Sequence, residues 1–290
     1  MSASPSEAAA PLRFAVLGHP VAHSKSPQMH RAAYALLGIE ARYEAIDLSP
    51  AQLGPFLTGQ EGAGYRGLNL TLPHKEAVLP ALRAAGALGE LSPTAQALGA
   101  VNTLTRRADG RWEGDNTDAP GLRASLEEAG VPLDGARGVV IGAGGAAAAA
   151  AAALALGGAT ELELWARRPE RAEALALRLE SSPLFAGCAL RAAALPPQAA
   201  LSGRVVVNAT PLGLRADDPS PVALVEAPAW AVDLIYGDPP SAFARQAAAL
   251  GASVTRGEGM LVHQGALALA RWIGCQVTPA LLRAMAGALA

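Results

Sequence analysis

The chain has 290 residues, of which 51% are hydrophobic and 17% are charged. At about 150 residues per domain this length accommodates two compact domains, and the apolar content excludes a chain that is disordered throughout. The net charge is −2, and the Lys and Arg residues are scattered rather than clustered. We therefore expect no nucleic acid and no anionic membrane surface as a partner, and predict a small-molecule ligand.

The amino-terminal segment and the cysteines indicate the cellular compartment of the protein. The segment before Leu12 has no basic residue and carries Glu7 where a signal peptide requires apolar residues, so we expect a short disordered tail. Cys188 and Cys275 lie far apart and form no C-x-x-C pair, which argues against a disulfide framework and a thiolate zinc site. We expect a cytoplasmic protein without a bound metal.

The longest charge-free stretch, 138–160, has the length of a membrane span but not its composition. It consists mostly of Ala and Gly, which contribute little apolar area, and it divides into a β-branched run, a glycine-rich turn and an alanine-rich segment. This order predicts a buried strand, a loop and a helix rather than a transmembrane helix.

Short apolar runs alternate with helical patterns along the whole chain. The first part predicts strands over 12–18, 41–48 and 65–72, helices over 27–37, near Ala51 and from Lys75, and a hairpin over 101–115. The second part predicts strands over 138–142, 161–166, 188–194, 204–210, 229–236 and 252–257, an alanine-rich helix, helices from Pro169 and Ser241, and two closing helices over 260–273 and 279–289. Strands separated by helices indicate βαβ units and mostly parallel sheets. We predict two α/β domains, with the closing helices packed back on the first.

A glycine-rich turn follows the strand predicted over 138–142. Gly142, Gly144 and Ala147 fit the pattern G-x-G-x-x-G/A at the start of the alanine-rich helix. The glycines permit a tight turn and let the amides of a helix amino terminus approach a pyrophosphate. In this context the pattern predicts dinucleotide binding; the alternative is a tight turn beneath a helix of small residues.

The end of the next predicted strand indicates which dinucleotide is preferred. An NAD site places Asp or Glu there to accept a hydrogen bond from the ribose 2′-hydroxyl, whereas this strand runs into Arg167 and Arg168. Each charge-assisted hydrogen bond to a 2′-phosphate contributes about 1.5–3 kcal/mol, which is tenfold or more in affinity. The sequence favours NADP; the alternative is a solvated arginine pair before Pro169.

Polar side chains interrupt the first predicted domain near the ends of its strands. Ser26 followed by Pro27 is typical of a helix N-cap and first helical residue, whereas Ser24 is not needed for that cap. Two hydroxyls beside free helix amides form a plausible cradle for a carboxylate or hydroxyl ligand. Further along, Asn69 and Thr71 alternate with Leu68, Leu70 and Leu72, so the amide and the hydroxyl share one face of a strand. That face is either an edge or a ligand wall.

Lys75 and Asp118 are the residues best suited to proton transfer. A cation in the first turn of a helix opposes the macrodipole, so Lys75 is slightly unfavourable there unless it has a partner or a task. Asp118 precedes Ala119 and Pro120 and could act merely as an N-cap. A Lys and an Asp that meet in a cleft can instead form a proton-transfer pair.

Eight motifs in order carry a resemblance to shikimate dehydrogenases. They are G-x-P-x-x-H-S-x-S-P-x-x-H (18–30), N-x-T-x-P-x-K (69–75), G-A-V-N-T (99–103), G-x-N-T-D (114–118), G-A-G-G-A (142–146), N-A-T-P-x-G (208–213), D-x-x-Y (233–236) and G-x-x-M-L-V-x-Q (257–264). The resemblance implies the NADP-linked interconversion of 3-dehydroshikimate and shikimate in aromatic amino-acid biosynthesis, without a metal. It also implies a substrate domain, 1–117 with 258–290, and a Rossmann-type NADP domain, 118–257.

The resemblance further implies a role for individual residues. Lys75 and Asp118 correspond to the catalytic pair. The substrate would be held by Ser24, Ser26, Asn69, Thr71, Asn102, Tyr236 and Gln264. The cofactor would be held by Gly142, Ala143, Gly144, Gly145, Ala146, Arg167, Arg168, Gly257 and Met260, with Met260 near the nicotinamide.

One departure and two rival functions accompany this interpretation. The family usually has Asn-Arg-Thr where this chain has Ala166, Arg167 and Arg168, which preserves an NADP preference but changes its contacts. One rival is a quinate/shikimate dehydrogenase of broader substrate and cofactor choice, against which the arginines argue. The other is a non-catalytic NADPH-binding regulator, which should lack Lys75 or Asp118. We expect a monomer or a homodimer.

Overall fold

Two six-stranded sheets, each covered by helices on both faces, organise the protein. The computed structural model describes residues 10–289. Residues 1–9 of the predicted tail lie outside the described residues, and Leu12 already pairs with Ala41 in the first sheet. The predicted α/β class with two sheets is confirmed.

The first sheet is mixed. Its strands are β1 (Leu12–Gly18), β2 (Ala41–Asp47), β3 (Gly67–Leu70), β4 (Leu88–Leu91), β5 (Thr103–Arg106) and β6 (Trp112–Asp115). The helices between them are α1 (Ser26–Leu37), α2 (Pro50–Thr58), α3 (Gln60–Ala63), α4 (His74–Ala84) and α5 (Pro93–Leu98). The strand order is β2-β1-β3-β5-β6-β4, in which β5 runs antiparallel to β3 and to β6. The predicted hairpin over 101–115 is therefore present as β5 and β6.

The strand predicted over 65–72 is shorter in the structure. It ends at Leu70, so Leu72 does not continue the face formed by Leu68 and Leu70, and its side chain is 68% exposed. The chain turns away after Thr71, whose amide donates to the carbonyl of Leu17 at 2.9 Å. Thr71 thus stands at the carboxyl end of the strand rather than on its face.

The second sheet is entirely parallel. Its strands are β7 (Arg137–Ile141), β8 (Glu161–Ala166), β9 (Ala189–Ala194), β11 (Val205–Asn208), β13 (Trp230–Asp233) and β14 (Ser253–Arg256), and a separate two-residue pair comprises β10 (Gln198–Ala199) and β12 (Ala223–Leu224). The helices are α6 (Asp118–Glu128), α7 (Gly145–Leu156), α8 (Pro169–Glu180), a 3₁₀ turn (Pro183–Phe185) and α9 (Ala242–Ala249). The order β14-β13-β11-β7-β8-β9 is that of a doubly wound dinucleotide-binding sheet, with its switch point between β7 and β11.

The closing helices, α10 (Gly257–Ile273) and α11 (Pro279–Gly287), return to the first sheet. Trp272 and Met285 share a buried cluster with Phe14 and Met29, and the Trp272 ring stacks on Phe14 at 4.8 Å between centroids. The predicted packing of these helices on the first domain is confirmed.

The 138–160 stretch forms β7, a turn and α7, as the sequence predicts. Between Ala147 and Ala153 every residue of α7 is fully buried. Among residues 10–289, no helix is long and apolar enough to cross a membrane.

Helices α6 and α10 carry the chain from one sheet to the other and pack closely together. A Cβ at Gly121 of α6 would lie 2.7 Å from the backbone nitrogen of Gln264 in α10, so only glycine permits this approach. The crossing brings Asp118, at the start of α6, close to Gln264.

Candidate active site

A cleft of about 210 Å³ lies where the carboxyl ends of β1 and β3 face the second sheet. All nine residues predicted to bind or transform the substrate line it: Ser24, Ser26, Asn69, Thr71, Lys75, Asn102, Asp118, Tyr236 and Gln264. Three of the residues predicted to bind the cofactor also line it: Ala146, Gly257 and Met260. The sequence did not predict His23 or the apolar wall formed by Val16, Val21, Leu70, Leu234 and Leu261.

Lys75 and Asp118 form an ion pair in this cleft. Lys75 Nζ donates to Asp118 Oδ2 at 2.7 Å, although the two residues come from different helices, α4 and α6. The Asp118 side chain is 5% exposed and that of Lys75 is 19% exposed. The carboxylate therefore supplies the partner that offsets the unfavourable position of a cation in the first turn of α4.

Asn102 holds the other oxygen of the same carboxylate. Its Nδ2 donates to Asp118 Oδ1 at 2.8 Å, and its Oδ1 accepts from the amide of Thr117 at 2.7 Å. Its Nδ2 also lies 3.4 Å from Gln264 Oε1 on α10. Asp118 is thus fixed on both oxygens, by Lys75 and by Asn102, inside a buried network that reaches helix α10.

The N-cap interpretation of Asp118 is wrong. Asp118 is the first helical residue of α6, and the side-chain oxygen of Asn116 accepts from the amides of Asp118 and Ala119 at 3.1 and 3.3 Å. Because Asn116 satisfies these amides, the carboxylate of Asp118 is available to Lys75 and Asn102.

The N-cap interpretation of Ser26 is also wrong. Helix α1 begins at Ser26 itself, and Ser24 Oγ accepts from the Ser26 amide at 3.3 Å. The N-cap residue is Lys25, and the first helical amide is bound by the hydroxyl of Ser24. Both hydroxyls still line the cleft.

The side chain of Asn69 is fixed by a hydrogen bond from a tyrosine that the sequence analysis did not identify. The Tyr43 hydroxyl donates to Asn69 Oδ1 at 2.8 Å, and Asn69 Nδ2 donates to the carbonyl of Asn102 and to Thr103 Oγ1, both at 3.1 Å. Tyr43 stacks on His30 with centroids 4.2 Å apart, and burial raises the pKa of Tyr43 well above its ordinary value. The sequence shows Tyr43 only as an aromatic residue in the strand predicted over 41–48.

His30 lies in the apolar layer under the serine loop. It is fully buried, both ring nitrogens lack a hydrogen-bond partner among the described residues, and burial lowers its pKa to about 3. The ring is therefore neutral at physiological pH and serves as an aromatic packing residue.

The glycine-rich turn lies at the switch point of the second sheet. Gly142 has a φ of 132°, and a Cβ there would lie 2.9 Å from the carbonyl oxygen of Ala209. Gly144 is exposed, no heavy atom lies within 4 Å of its Cβ position, and it precedes α7 without a side-chain cap. The first amides of α7 are therefore accessible to a phosphate group, and the turn fits the pyrophosphate of a dinucleotide.

Arg167 and Arg168 stand at the carboxyl end of β8, next to the turn. Both side chains are exposed, and Arg168 is the N-cap residue of α8. This is the position at which a Rossmann sheet contacts the ribose next to the adenine, so two guanidinium groups there fit a 2′-phosphate. Neither arginine lines the cleft, which is consistent with a cofactor that extends away from the substrate.

Tyr236 reaches the cleft from the second sheet, in the loop between β13 and α9. Burial raises its pKa, and the nearby carboxylate of Glu258 raises it further, so the hydroxyl keeps its proton at physiological pH. The ring packs against Gly257, where a Cβ would lie 3.3 Å from Tyr236 Cδ1.

The described residues contain no group of three His, Cys, Asp or Glu side chains arranged to hold a metal ion. Cys188 and Cys275 are both free thiols.

Residues 16–104 match the family model of the shikimate dehydrogenase substrate binding domain. A shikimate dehydrogenase (NADP(+)) of Anaeromyxobacter sp. strain K is 44% identical over 264 residues, which cover 90% of each chain. The chain belongs to the shikimate dehydrogenase family. The resemblance drawn from the eight motifs is thereby confirmed.

Solved structures extend this family likeness over the whole fold. The shikimate 5-dehydrogenase of Thermus thermophilus in complex with NADP(H) and shikimate is 41% identical and has a TM-score of 0.76, covering 96% of this chain and 99% of that one. A quinate dehydrogenase from Corynebacterium glutamicum in complex with NAD is 27% identical, with a TM-score of 0.81 and coverage of 96% and 98%. The fold is thus shared by relatives that differ in substrate and in cofactor.

Proposed function

We propose that this protein is an oxidoreductase that reversibly reduces 3-dehydroshikimate to shikimate with NADPH, a step of aromatic amino-acid biosynthesis. The observation that carries the proposal is the Lys75–Asp118 ion pair, 2.7 Å long, in a cleft lined by all seven predicted substrate-binding residues. The relatives named for this reaction cover about nine-tenths of the chain at 44% identity.

Lys75 is the proton donor in this proposal. Its ammonium group has three hydrogens. One of them forms the hydrogen bond to Asp118, which leaves two for hydrogen bonds to the oxygen of the substrate carbonyl. In reduction Lys75 gives a proton to that oxygen, and in oxidation it takes the proton back from the hydroxyl. Asp118 orients the ammonium group and accepts from a neighbouring substrate hydroxyl.

The polar walls of the cleft orient the ring of the substrate. Ser24 and Ser26 present hydroxyls that can donate to the carboxylate, and Asn69, Asn102, Gln264 and Tyr236 present groups that can bind its hydroxyls. Asn69 has both amide hydrogens engaged, on Asn102 and Thr103, so it can offer a substrate hydroxyl only the remaining lone pair of its oxygen.

NADP is the proposed cofactor. The accessible amides at the start of α7 would hold its pyrophosphate, Arg167 and Arg168 its 2′-phosphate, and Met260 and Gly257 would lie beside its nicotinamide. When bound, the cofactor supplies or accepts the hydride. The arginines at the end of β8 favour NADP, since no carboxylate is available there for an unphosphorylated ribose.

The proposed domain boundaries follow the two sheets. Residues 1–117 with 258–290 form the substrate domain, and residues 118–257 form the cofactor domain. We propose further that the protein acts in the cytoplasm as a monomer or a homodimer.

Turnover of shikimate tests the proposal. The purified protein is mixed with shikimate and NADP, then with shikimate and NAD, and the absorbance of the reduced nicotinamide is followed. We expect a clear rate with NADP and a much weaker one with NAD. No rate with shikimate, quinate or another cyclic polyol acid would overturn the proposal in favour of a non-catalytic NADPH-binding protein.

Oxidation of quinate is the second candidate activity, because a quinate dehydrogenase shares the fold at a TM-score of 0.81. That relative is described with NAD, whereas this chain carries two arginines at the end of β8. Faster turnover of quinate than of shikimate in the same assay would favour this candidate and keep the cofactor site unchanged.

A further inference from the structure

A buried carboxylate connects the two ends of the loop that carries Tyr236. Asp233 is the last residue of β13 and is 1% exposed. Its Oδ1 accepts from the amide of Ile235 at 3.2 Å, and its Oδ2 accepts from the hydroxyl of Ser241. The loop from Leu234 to Pro240 is therefore fastened at its start and at its end to one side chain.

The same carboxylate is fixed to the neighbouring strand. Asn208, the last residue of β11, is paired with Asp233 in the sheet, and its Nδ2 donates to Asp233 Oδ1 at 2.9 Å. Asn208 Oδ1 in turn accepts from the amide and the hydroxyl of Thr210, at 3.1 and 2.7 Å. Asp233 thus belongs to a rigid unit at the carboxyl edge of the second sheet.

Ser241 has two tasks in this arrangement. Its hydroxyl donates to Asp233 and also accepts from the amide of Ala244 at 3.1 Å, so it is the N-cap of α9. The start of α9 and the end of the Tyr236 loop are consequently held at one point.

We propose that Asp233 is a positioning residue that holds Tyr236 against the substrate. Asp233 does not line the cleft and touches no reacting atom; it acts through the backbone of Ile235, which precedes Tyr236 directly, and through Ser241. The inference rests on the proposed function, because it assigns Tyr236 a hydrogen bond to the substrate. It explains why D-x-x-Y and N-A-T-P-x-G occur together: the Asp and Asn of these motifs bind each other.

A double-mutant cycle tests the proposal. Y236F is expected to raise the KM for shikimate about threefold to tenfold, as for the loss of one neutral hydrogen bond. D233A is expected to raise KM by a similar factor, and the double variant by no more than the larger single effect, because residues that act as a unit are not additive. If the factors of D233A and Y236F multiply in the double variant, or if Y236F leaves KM unchanged, the proposal is overturned.

S241A keeps the proposal testable if D233A does not fold. It removes one fastening point of the loop and one helix cap, and we expect a rise of about threefold in the KM for shikimate. T278A is the matched control, because Thr278 caps α11 through the amide of Leu281 at 3.2 Å and lies outside the cleft and the Tyr236 loop. An unchanged KM in S241A, or an equal rise in T278A, would contradict the proposal.

The affinity for NADPH separates this inference from the proposed function. It is measured by the fluorescence of NADPH on titration, without turnover, and we expect S241A to bind NADPH within twofold of the wild type. A parallel loss of NADPH affinity would assign the effect to the whole second sheet and overturn the inference. Failure of the proposed function would appear separately, as absence of shikimate turnover in the wild-type protein.

Discussion

The proposed substrate site and the proposed cofactor site differ in how far their polar groups are engaged with the protein itself. On the substrate side Asp118 is held on both oxygens, by Lys75 and Asn102, and Asn69 is held by Tyr43, Asn102 and Thr103. On the proposed cofactor side the groups are accessible amides beside Gly144 and the exposed side chains of Arg167 and Arg168. The substrate side is organised by hydrogen bonds within the protein. The cofactor side, in contrast, offers donors whose hydrogen-bond partners would come from a phosphate-bearing ligand.

The largest effect is expected on the substrate side, from K75A. Removal of the proposed proton donor should lower kcat by about 10²–10⁴-fold, because general acid catalysis contributes an effect of this size. NADPH affinity should stay unchanged, since Lys75 lies on α4 of the first domain. Steady-state kinetics with shikimate and NADP, combined with NADPH titration, measure both quantities. An unchanged kcat would remove Lys75 from the mechanism.

Asn102 should contribute to stability as well as to activity. N102A would leave the Thr117 amide and one oxygen of Asp118 without their partners in a buried site, at a cost of about 2–3 kcal/mol in the free energy of unfolding. Urea unfolding of the wild type and the variant measures this difference. T278A, which loses one capping bond, serves as the reference for a loss of about 1 kcal/mol. A loss in N102A no larger than in T278A would show that the network is less rigid than its distances indicate.

A fall in pH should lower the free energy of unfolding through His30, which lies on the substrate side. Its pKa in the folded protein is lowered to about 3, so the unfolded state binds a proton first as the pH falls below 6.5. The stabilisation from neutral His30 is complete above pH 6.5 and declines by about 1.4 kcal/mol per pH unit below it.

H30F isolates this contribution, because Phe keeps the aromatic packing and has no titratable group. Between pH 6.5 and pH 5 the wild type should lose about 2 kcal/mol more of its free energy of unfolding than H30F does. Urea unfolding at the two pH values gives the comparison. An identical pH dependence of the two proteins would mean that the pKa of His30 does not differ between the folded and the unfolded state.

The smallest effect is expected on the cofactor side, from R167A and R168A. Each should raise the Kd for NADP about tenfold and leave the Kd for NAD nearly unchanged, because only NADP carries the 2′-phosphate. R83A, which removes an exposed arginine from α4, is the control for a change in net charge alone. Equal losses for NADP and NAD would place the arginines elsewhere on the cofactor, and no loss at all would support the solvated pair.

Local sequence patterns predicted the elements well where strands and helices are long or strongly patterned. The bounds of β8 agree with the prediction, and the alanine-rich helix and the closing helices are present. Strand β4 and helix α5 were missed, because Leu88–Leu91 is too short for a recognisable alternation and becomes a strand only by pairing with β6. The end of β3 was misplaced for a related reason, since the turn after Thr71 depends on contacts with β1.

The candidate site was predictable as a set of residues but not as a network. The motifs identified Lys75 and Asp118 as candidate residues. Nothing in the sequence indicated that Asn102 would bind the second carboxylate oxygen of Asp118, or that Asn116, not Asp118, would accept from the first amides of α6. The roles of Tyr43 and Asp233 depend on which strands are neighbours. Such partnerships arise from the order of strands in the sheets, which local patterns do not specify.

Helix α7 has a consequence for mutational scanning of this protein. Its buried residues from Ala147 to Ala153 have no side-chain atoms beyond Cβ, so an alanine scan would report nothing at these seven consecutive positions of the helix. The informative experiment there runs in the opposite direction, from small to large. Each added methyl or isopropyl group would have to displace a neighbouring strand or helix, typically at a cost of about 1–3 kcal/mol. Tolerance maps built on truncation alone would therefore describe these seven positions as neutral, although they have little room for a larger side chain.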